Sequence, residues 1–79
     1  MRSRSAVEQA IDDLARDRIL EYISIARRGG RSVLTLVDIS EETALDPGTV
    51  GAVMAQLESG PDAPVRRATA DQLRWHIRR

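Results

Sequence analysis

The stretch that decides the fold is TLVDISEETALDPGTVGAVMAQLE, which occupies residues 35–58. Its spacing predicts two short helices separated by a tight turn. Thr35 is a suitable N-cap for the first helix, and the acidic Asp38 follows three residues later, which is the spacing of a capping box. Asp46 is a suitable N-cap for the second helix, where Pro47 would occupy the first helical position and lose no hydrogen bond. The apolar residues at helical spacing predict the buried face of that second helix: Val50, Val53, Met54 and Leu57.

The pattern I-S-x-x-x-A-L-x-x-x-T-V-x-x-x-M-x-x-L over residues 39–57 resembles the helix-turn-helix core of bacterial and archaeal winged-helix regulators. In that family a small residue, here Ala44, fills the turn, and the second helix enters the major groove of DNA. The resemblance implies a mainly α, α+β fold with three helices and a C-terminal wing of two or three strands. It also implies DNA binding and transcription regulation.

The residues before this core predict one long helix over 6–28. Asp12, Asp13, Arg16 and Asp17 lie opposite its apolar stripe, and Gly29-Gly30 would end it. Its first three turns either lie on the common core or form a dimerisation arm. Because so small a core has little area to cover them, we expect a homodimer through this helix. The apolar positions are Val7, Ile11, Leu14, Ala15, Ile19, Tyr22 and Ala26, with Leu20, Ile23 and Ile25 widening the last two turns.

The C-terminal residues 64–79 predict the wing, a hairpin with strands at 65–69 and 73–78 and its tip at 70–72. A further short edge strand is predicted at 31–34. In the last strand a period of two separates an inward set from an outward set. The inward set is Leu73, Trp75 and Ile77, and the outward set is Arg74, His76 and Arg78.

Length and composition indicate a single domain over residues 1–79 that contains no cysteine. Disulfides, thiolate metal sites and cysteine nucleophiles are therefore excluded. No apolar run approaches the ~20 residues that span a bilayer. Since no apolar stretch follows the basic residues at the N-terminus, we expect no signal peptide and a cytoplasmic protein.

The charge is balanced overall but unevenly distributed. Twelve basic residues, all of them arginine, face twelve acidic ones. Residues 35–60 hold five acids and no basic residue, whereas 63–79 hold five arginines and one aspartate. Any function has to accommodate an acidic helical core beside a basic C-terminus.

Catalytic chemistry has few candidates in this chain. His76 is the only histidine, and its position between arginines in a strand favours a solvent-facing side chain over a base or a ligand. The pairs Asp12-Asp13 and Glu41-Glu42 are adjacent in sequence, so on a helix they diverge by roughly 100° and share no site. We therefore expect no enzyme activity, no metal and no cofactor.

For DNA binding, the second helix of the core presents mostly small residues outward, and nearby acids oppose phosphate contact. Two hypotheses follow. In the first, wing arginines hold the duplex while this helix lies near the major groove. In the second, the chain is a protein-interaction or self-assembly module that joins an acidic helical face to a basic wing. The residues expected to contact DNA are Thr49, Ala52, Gln56, Arg66, Arg67, Arg74, Arg78 and Arg79.

Overall fold

The computed structural model describes residues 6–68 and 73–78, with side chains from residue 12 onward. Within these ranges three helices and three strands follow one another: α1 (Ala6–Arg28), β1 (Val33–Thr35), α2 (Leu36–Thr43), α3 (Pro47–Leu57), β2 (Val65–Arg67) and β3 (Arg74–Ile77). The strands form one antiparallel sheet in the order β1-β3-β2. The α+β class predicted from the sequence is confirmed.

The helix boundaries follow the predicted caps. Thr35 has extended backbone geometry, and its hydroxyl accepts the Asp38 N–H at 3.1 Å. Asp46 accepts the Thr49 N–H at 3.0 Å, one residue before Pro47 begins α3. At the end of α1, Gly30 takes a φ of 88°, and the following Arg31 donates its N–H to the Ala26 carbonyl at 2.9 Å.

The turn between α2 and α3 is held by side chains that bind its carbonyls. Ala44 adopts a left-handed conformation with a φ of 59°, which breaks the helix. Ser40 donates its hydroxyl to the Leu45 carbonyl at 2.6 Å, and Arg18 of α1 donates to the Thr43 carbonyl at 3.0 Å. These bonds satisfy groups that the end of α2 would otherwise leave without partners.

The core lies between the three helices and the inner face of the sheet. Trp75 is the largest of its fully buried side chains, and α1 contributes Ala15, Ile19, Ile23 and Ala26 to the same cluster. The other helices and strands contribute Leu34, Ile39, Val50, Val53, Met54, Leu57, Val65 and Ile77. The four inward residues predicted for α3 are all buried.

Four expectations were wrong in detail. Leu14 is 69% exposed, because it lies beside the buried stripe of α1, which runs through Ala15 and Ile19. Ile25 is 52% exposed, because the buried stripe of α1 runs through Ile23 and Ala26 and leaves position 25 to one side. Leu73 is 53% exposed, because it lies in a turn before the paired part of β3, where strand alternation has not begun. The first strand lies two residues later than its predicted start, at Val33–Thr35, where it pairs with β3.

Parts of three predictions lie outside the described residues. The hairpin tip at 70–72, the outer end of the first wing strand at Thr69, and Arg79 belong to this group, as do the side chains of Val7 and Ile11.

Candidate functional site

One face of the sheet carries three of the predicted DNA-contacting arginines. Arg74, His76 and Arg78 alternate along β3 and just beyond it, and all three are exposed. Arg66 of β2 pairs with His76 in register and is exposed as well. We call this set of Arg66, Arg74, His76 and Arg78 the outer sheet face. The predicted alternation in β3 is confirmed for residues 74–77, since Trp75 and Ile77 are buried.

The outer sheet face is a compact basic surface. Arg78 lies four positions after Arg74, which corresponds to about 13 Å at the rise of an extended chain. Arg66 adds a charge on the neighbouring strand, about 5 Å to the side. Arg78 also donates to the Pro61 carbonyl at 3.3 Å, so its guanidinium is partly held by the loop before β2.

Arg67, although adjacent to Arg66, lies on the opposite face. Its partner in register is the buried Trp75, and its guanidinium carbon lies 5.1 Å from the centroid of that indole. It also forms a two-pronged bond to Glu58 at the end of α3: Nη2 lies 2.6 Å from Oε1, and Nε lies 3.0 Å from Oε2. Arg67 is therefore engaged inside the molecule.

The Glu58–Arg67 pair keeps both groups charged. Hydrogen bonds from Arg67 lower the pKa of the Glu58 carboxyl below its ordinary value, and the same contact raises the pKa of Arg67. Their side chains are only 21% and 33% exposed. The pair thus ties the end of α3 to β2.

The two-residue alternation of side chains between the faces of the sheet applies to β2 as it does to β3. Applied to residues 65–67, it places Val65 and Arg67 together on one face and Arg66 alone on the other. Strand alternation alone could therefore have placed Arg67 on the inner face of the sheet. Its partner could not have been predicted in that way, because Glu58 is nine residues away across a loop and no local pattern connects them.

The outward side of α3 forms a groove with α1. The groove encloses about 380 Å³, and the predicted contact residues Thr49, Ala52 and Gln56 line it. Two carboxylates, Asp12 of α1 and Asp46, line the same groove. The structure therefore brings the three α3 residues together, but in acidic surroundings. We call this site the acidic groove.

Thr49 is already committed to a local bond. Its hydroxyl donates to the Asp46 carboxylate at 2.6 Å, and the Thr49 N–H donates to the other carboxylate oxygen at 3.0 Å. These two bonds lower the pKa of Asp46, first through the hydroxyl and then through the backbone, so Asp46 keeps its negative charge. Ala52 and Gln56 are exposed. Of the three α3 residues, Gln56 alone presents an uncommitted polar side chain.

The surface of α2 carries further negative charge. Glu41 and Glu42 are exposed on α2. Asp38 is partly compensated, because Arg31 binds its carboxylate at 3.1 Å while another nitrogen of the same guanidinium donates to the Tyr22 hydroxyl at 3.0 Å. The contrast is therefore between a basic sheet face and an acidic helical surface.

Two other kinds of site, metal clusters and membrane-spanning helices, are absent from the described ranges. Residues 6–68 and 73–78 contain no group of three or more His, Cys, Asp or Glu side chains that could hold a metal ion. In the same part of the chain, every helix is too short or too polar to cross a membrane.

No protein-family model, curated protein or solved structure matches this chain.

Proposed function

We propose that this chain is a winged helix-turn-helix protein of the cytoplasm that binds duplex DNA through its outer sheet face. The order of its elements supports the fold: a long helix and a short strand precede two capped helices with a tight turn, and two paired strands follow. In this assignment α2 and α3 form the helix-turn-helix, and β2 and β3 form the wing. A role in transcription regulation is part of the same proposal.

The observation that carries the proposal is the placement of Arg66, Arg74 and Arg78 on one exposed face. Arginine binds phosphate oxygens through a planar fork of donors, and each neutralised phosphate releases condensed counterions. Within the described residues, no carboxylate forms a salt bridge with Arg66 or Arg78. Phosphates would therefore meet a basic surface about 13 Å long.

The acidic groove argues for a particular mode of binding. Asp46 and Asp12 flank the side chains of α3 that would reach base edges, and both would repel phosphates. We therefore assign affinity to the outer sheet face and only a peripheral position to α3, with Ala52 and Gln56 near the groove edge. Such contacts position a protein on DNA without reading its sequence.

The test is a titration of random-sequence duplex at several salt concentrations, followed by fluorescence anisotropy. Three phosphate contacts should give a log–log salt slope of about −3, and Arg66→Ala or Arg74→Ala should each reduce that slope by about 0.9. Arg28→Ala is the matched control, because it removes the same charge from the exposed last turn of α1. An equal reduction by the control would assign binding to net charge.

A second candidate function rests on the acidic groove itself. Asp12 and Asp46, with Glu41 and Glu42 nearby on the helices, present negative charge that a basic protein segment would complement. In this alternative the chain is a protein-interaction or self-assembly module. Absence of duplex binding at low salt, together with capture of a basic peptide that Asp46→Asn weakens, would favour this alternative over the DNA proposal.

A further inference from the structure

A row of four exposed side chains runs along α1 on the side next to the α2–α3 turn. Leu14, Arg18, Glu21 and Ile25 follow one another at steps of four, three and four residues, which keeps them on one helical face. Leu14 is 69% exposed and Ile25 is 52% exposed. Arg18 and Glu21, between them, are exposed too. We call this row the lateral stripe.

The lateral stripe borders a continuous depression. Two adjoining cavities of about 460 Å³ each lie between α1 and the turn, and both are lined by Arg18 and Glu21. Leu14 and Leu45 line the first, and Ile25 and Ala44 line the second. Two large apolar side chains thus flank a central pair of opposite charges beside a concave surface.

The order of residues in the stripe is complementary to itself. It reads apolar, basic, acidic, apolar, so a second copy running antiparallel places Leu14 against the partner's Ile25. The same register places Arg18 against the partner's Glu21. A parallel copy would instead place Arg18 on the partner's Arg18, and like charges at such positions are destabilising. Self-complementarity about a two-fold axis is the property of an isologous dimer interface.

The central charges have capacity for such contacts. Glu21 forms no ion pair with any other residue in the described part of the chain. Arg18 uses one nitrogen to donate to the Thr43 carbonyl at 3.0 Å, and a guanidinium has five N–H donors. That bond also fixes the Arg18 head group beside the end of α2, within the stripe.

We propose that two copies of this chain associate through the lateral stripe, with their α1 helices antiparallel about an axis between Arg18 and Glu21. The contact extends over about 16 Å of each helix, from Leu14 to Ile25. It differs from a dimerisation arm made of the first three turns, because its register is centred between Arg18 and Glu21 and shares only Leu14 with those turns. The inference does not depend on what the outer sheet face binds.

The test is the molecular mass in solution over a wide concentration range, by light scattering or sedimentation. The unaltered chain should be a dimer at high concentration. Leu14→Asp should raise the dimer dissociation constant by roughly tenfold or more. The two-fold axis repeats the substitution, so a charge enters the apolar contact at both of its ends. Since Leu14 is exposed in the single chain, thermal unfolding should show that the variant remains folded.

Charge exchange makes the test specific for the register. Glu21→Arg and Arg18→Glu should each weaken self-association, because each creates like-charge pairs across the axis. An equimolar mixture of these two variants should form dimers again, since every central pair is then of opposite sign. Val37→Asp is the matched control, because it places the same charge at an exposed apolar position of α2 outside the stripe, and it should leave the dimer intact.

Three outcomes would overturn the proposal. The first is a monomer at every concentration, and the second is a dimer that neither Leu14→Asp nor Glu21→Arg affects. The third is dissociation by Ile11→Asp without any effect of Leu14→Asp, which would assign pairing to the first turns of α1.

Discussion

The two faces of the sheet use arginine in different ways, although the residues concerned are neighbours in the chain. On the inner face, Arg67 lies over the Trp75 ring and forms a salt bridge with Glu58, so its charge is paired within the fold. On the outer face, Arg66 is exposed beside His76. One step along a strand therefore converts an arginine from a structural group into a candidate binding group. A count of the arginines in the C-terminal strands therefore overstates the positive charge that they present to a partner.

The largest contrast between the faces should appear in stability. Trp75→Ala removes the largest fully buried side chain of the core and should lower the free energy of unfolding by about 3–5 kcal/mol. His76→Ala, at the next position on the exposed face, should change it by less than about 0.5 kcal/mol. Urea denaturation of both variants measures the difference. A similar loss of unfolding free energy for the two variants would contradict the placement of Trp75 and His76 on opposite faces of β3.

A smaller effect should separate the adjacent arginines. Arg67→Ala leaves Glu58 without its partner and uncovers Trp75, so it should cost about 1–2 kcal/mol, between the values for exposed ion pairs and for bonds to buried charges. Arg66→Ala should change stability by less than about 0.5 kcal/mol. Equilibrium unfolding at neutral pH tests the pair, and salt-dependent DNA binding should show the opposite order. Equal stability losses would contradict the two-sided assignment.

The smallest effect concerns pH. Because the folded state lowers the pKa of Glu58, the contribution of this group to stability is complete above the ordinary pKa that it has in the unfolded chain, and is lost as pH falls through the lower folded value. The difference in unfolding free energy between the unaltered chain and Glu58→Gln should therefore be constant near neutrality and shrink in acid. Asp46 is present in both proteins, so its own pH dependence cancels from this difference. A difference that grows as pH falls would reverse the assigned sign.

Much of the fold could be predicted from the sequence because its signals are local. The N-caps Thr35 and Asp46, the glycine stop after α1 and the two-residue period of β3 each act within a few residues. Ile25 was misplaced because hydrophobicity alone does not tell which side of a helix meets the core. That choice depends on how α2 and α3 pack on α1, and packing is set over long distances in sequence.

The candidate site was less predictable than the fold. Outward placement of Arg66, Arg74 and Arg78 follows from strand alternation. The proximity of Asp12 to the α3 residues Thr49 and Gln56 does not, because it arises only when α1 crosses α3. The commitment of Thr49 to Asp46 was in principle visible, since a capping aspartate three residues earlier competes for its hydroxyl.

The bond between Glu58 and Arg67 also affects the loop that it encloses. The loop from residue 59 to residue 64 lies between the two bonded residues, and within it Gly60 has a positive φ and the buried Ala63 donates its N–H to the Gly60 carbonyl. With its ends held, the loop no longer has to position the sheet by itself. Its exposed positions are therefore a natural place to insert a peptide tag or a reporter group, with strand register held by the Glu58–Arg67 bond and not by the loop sequence.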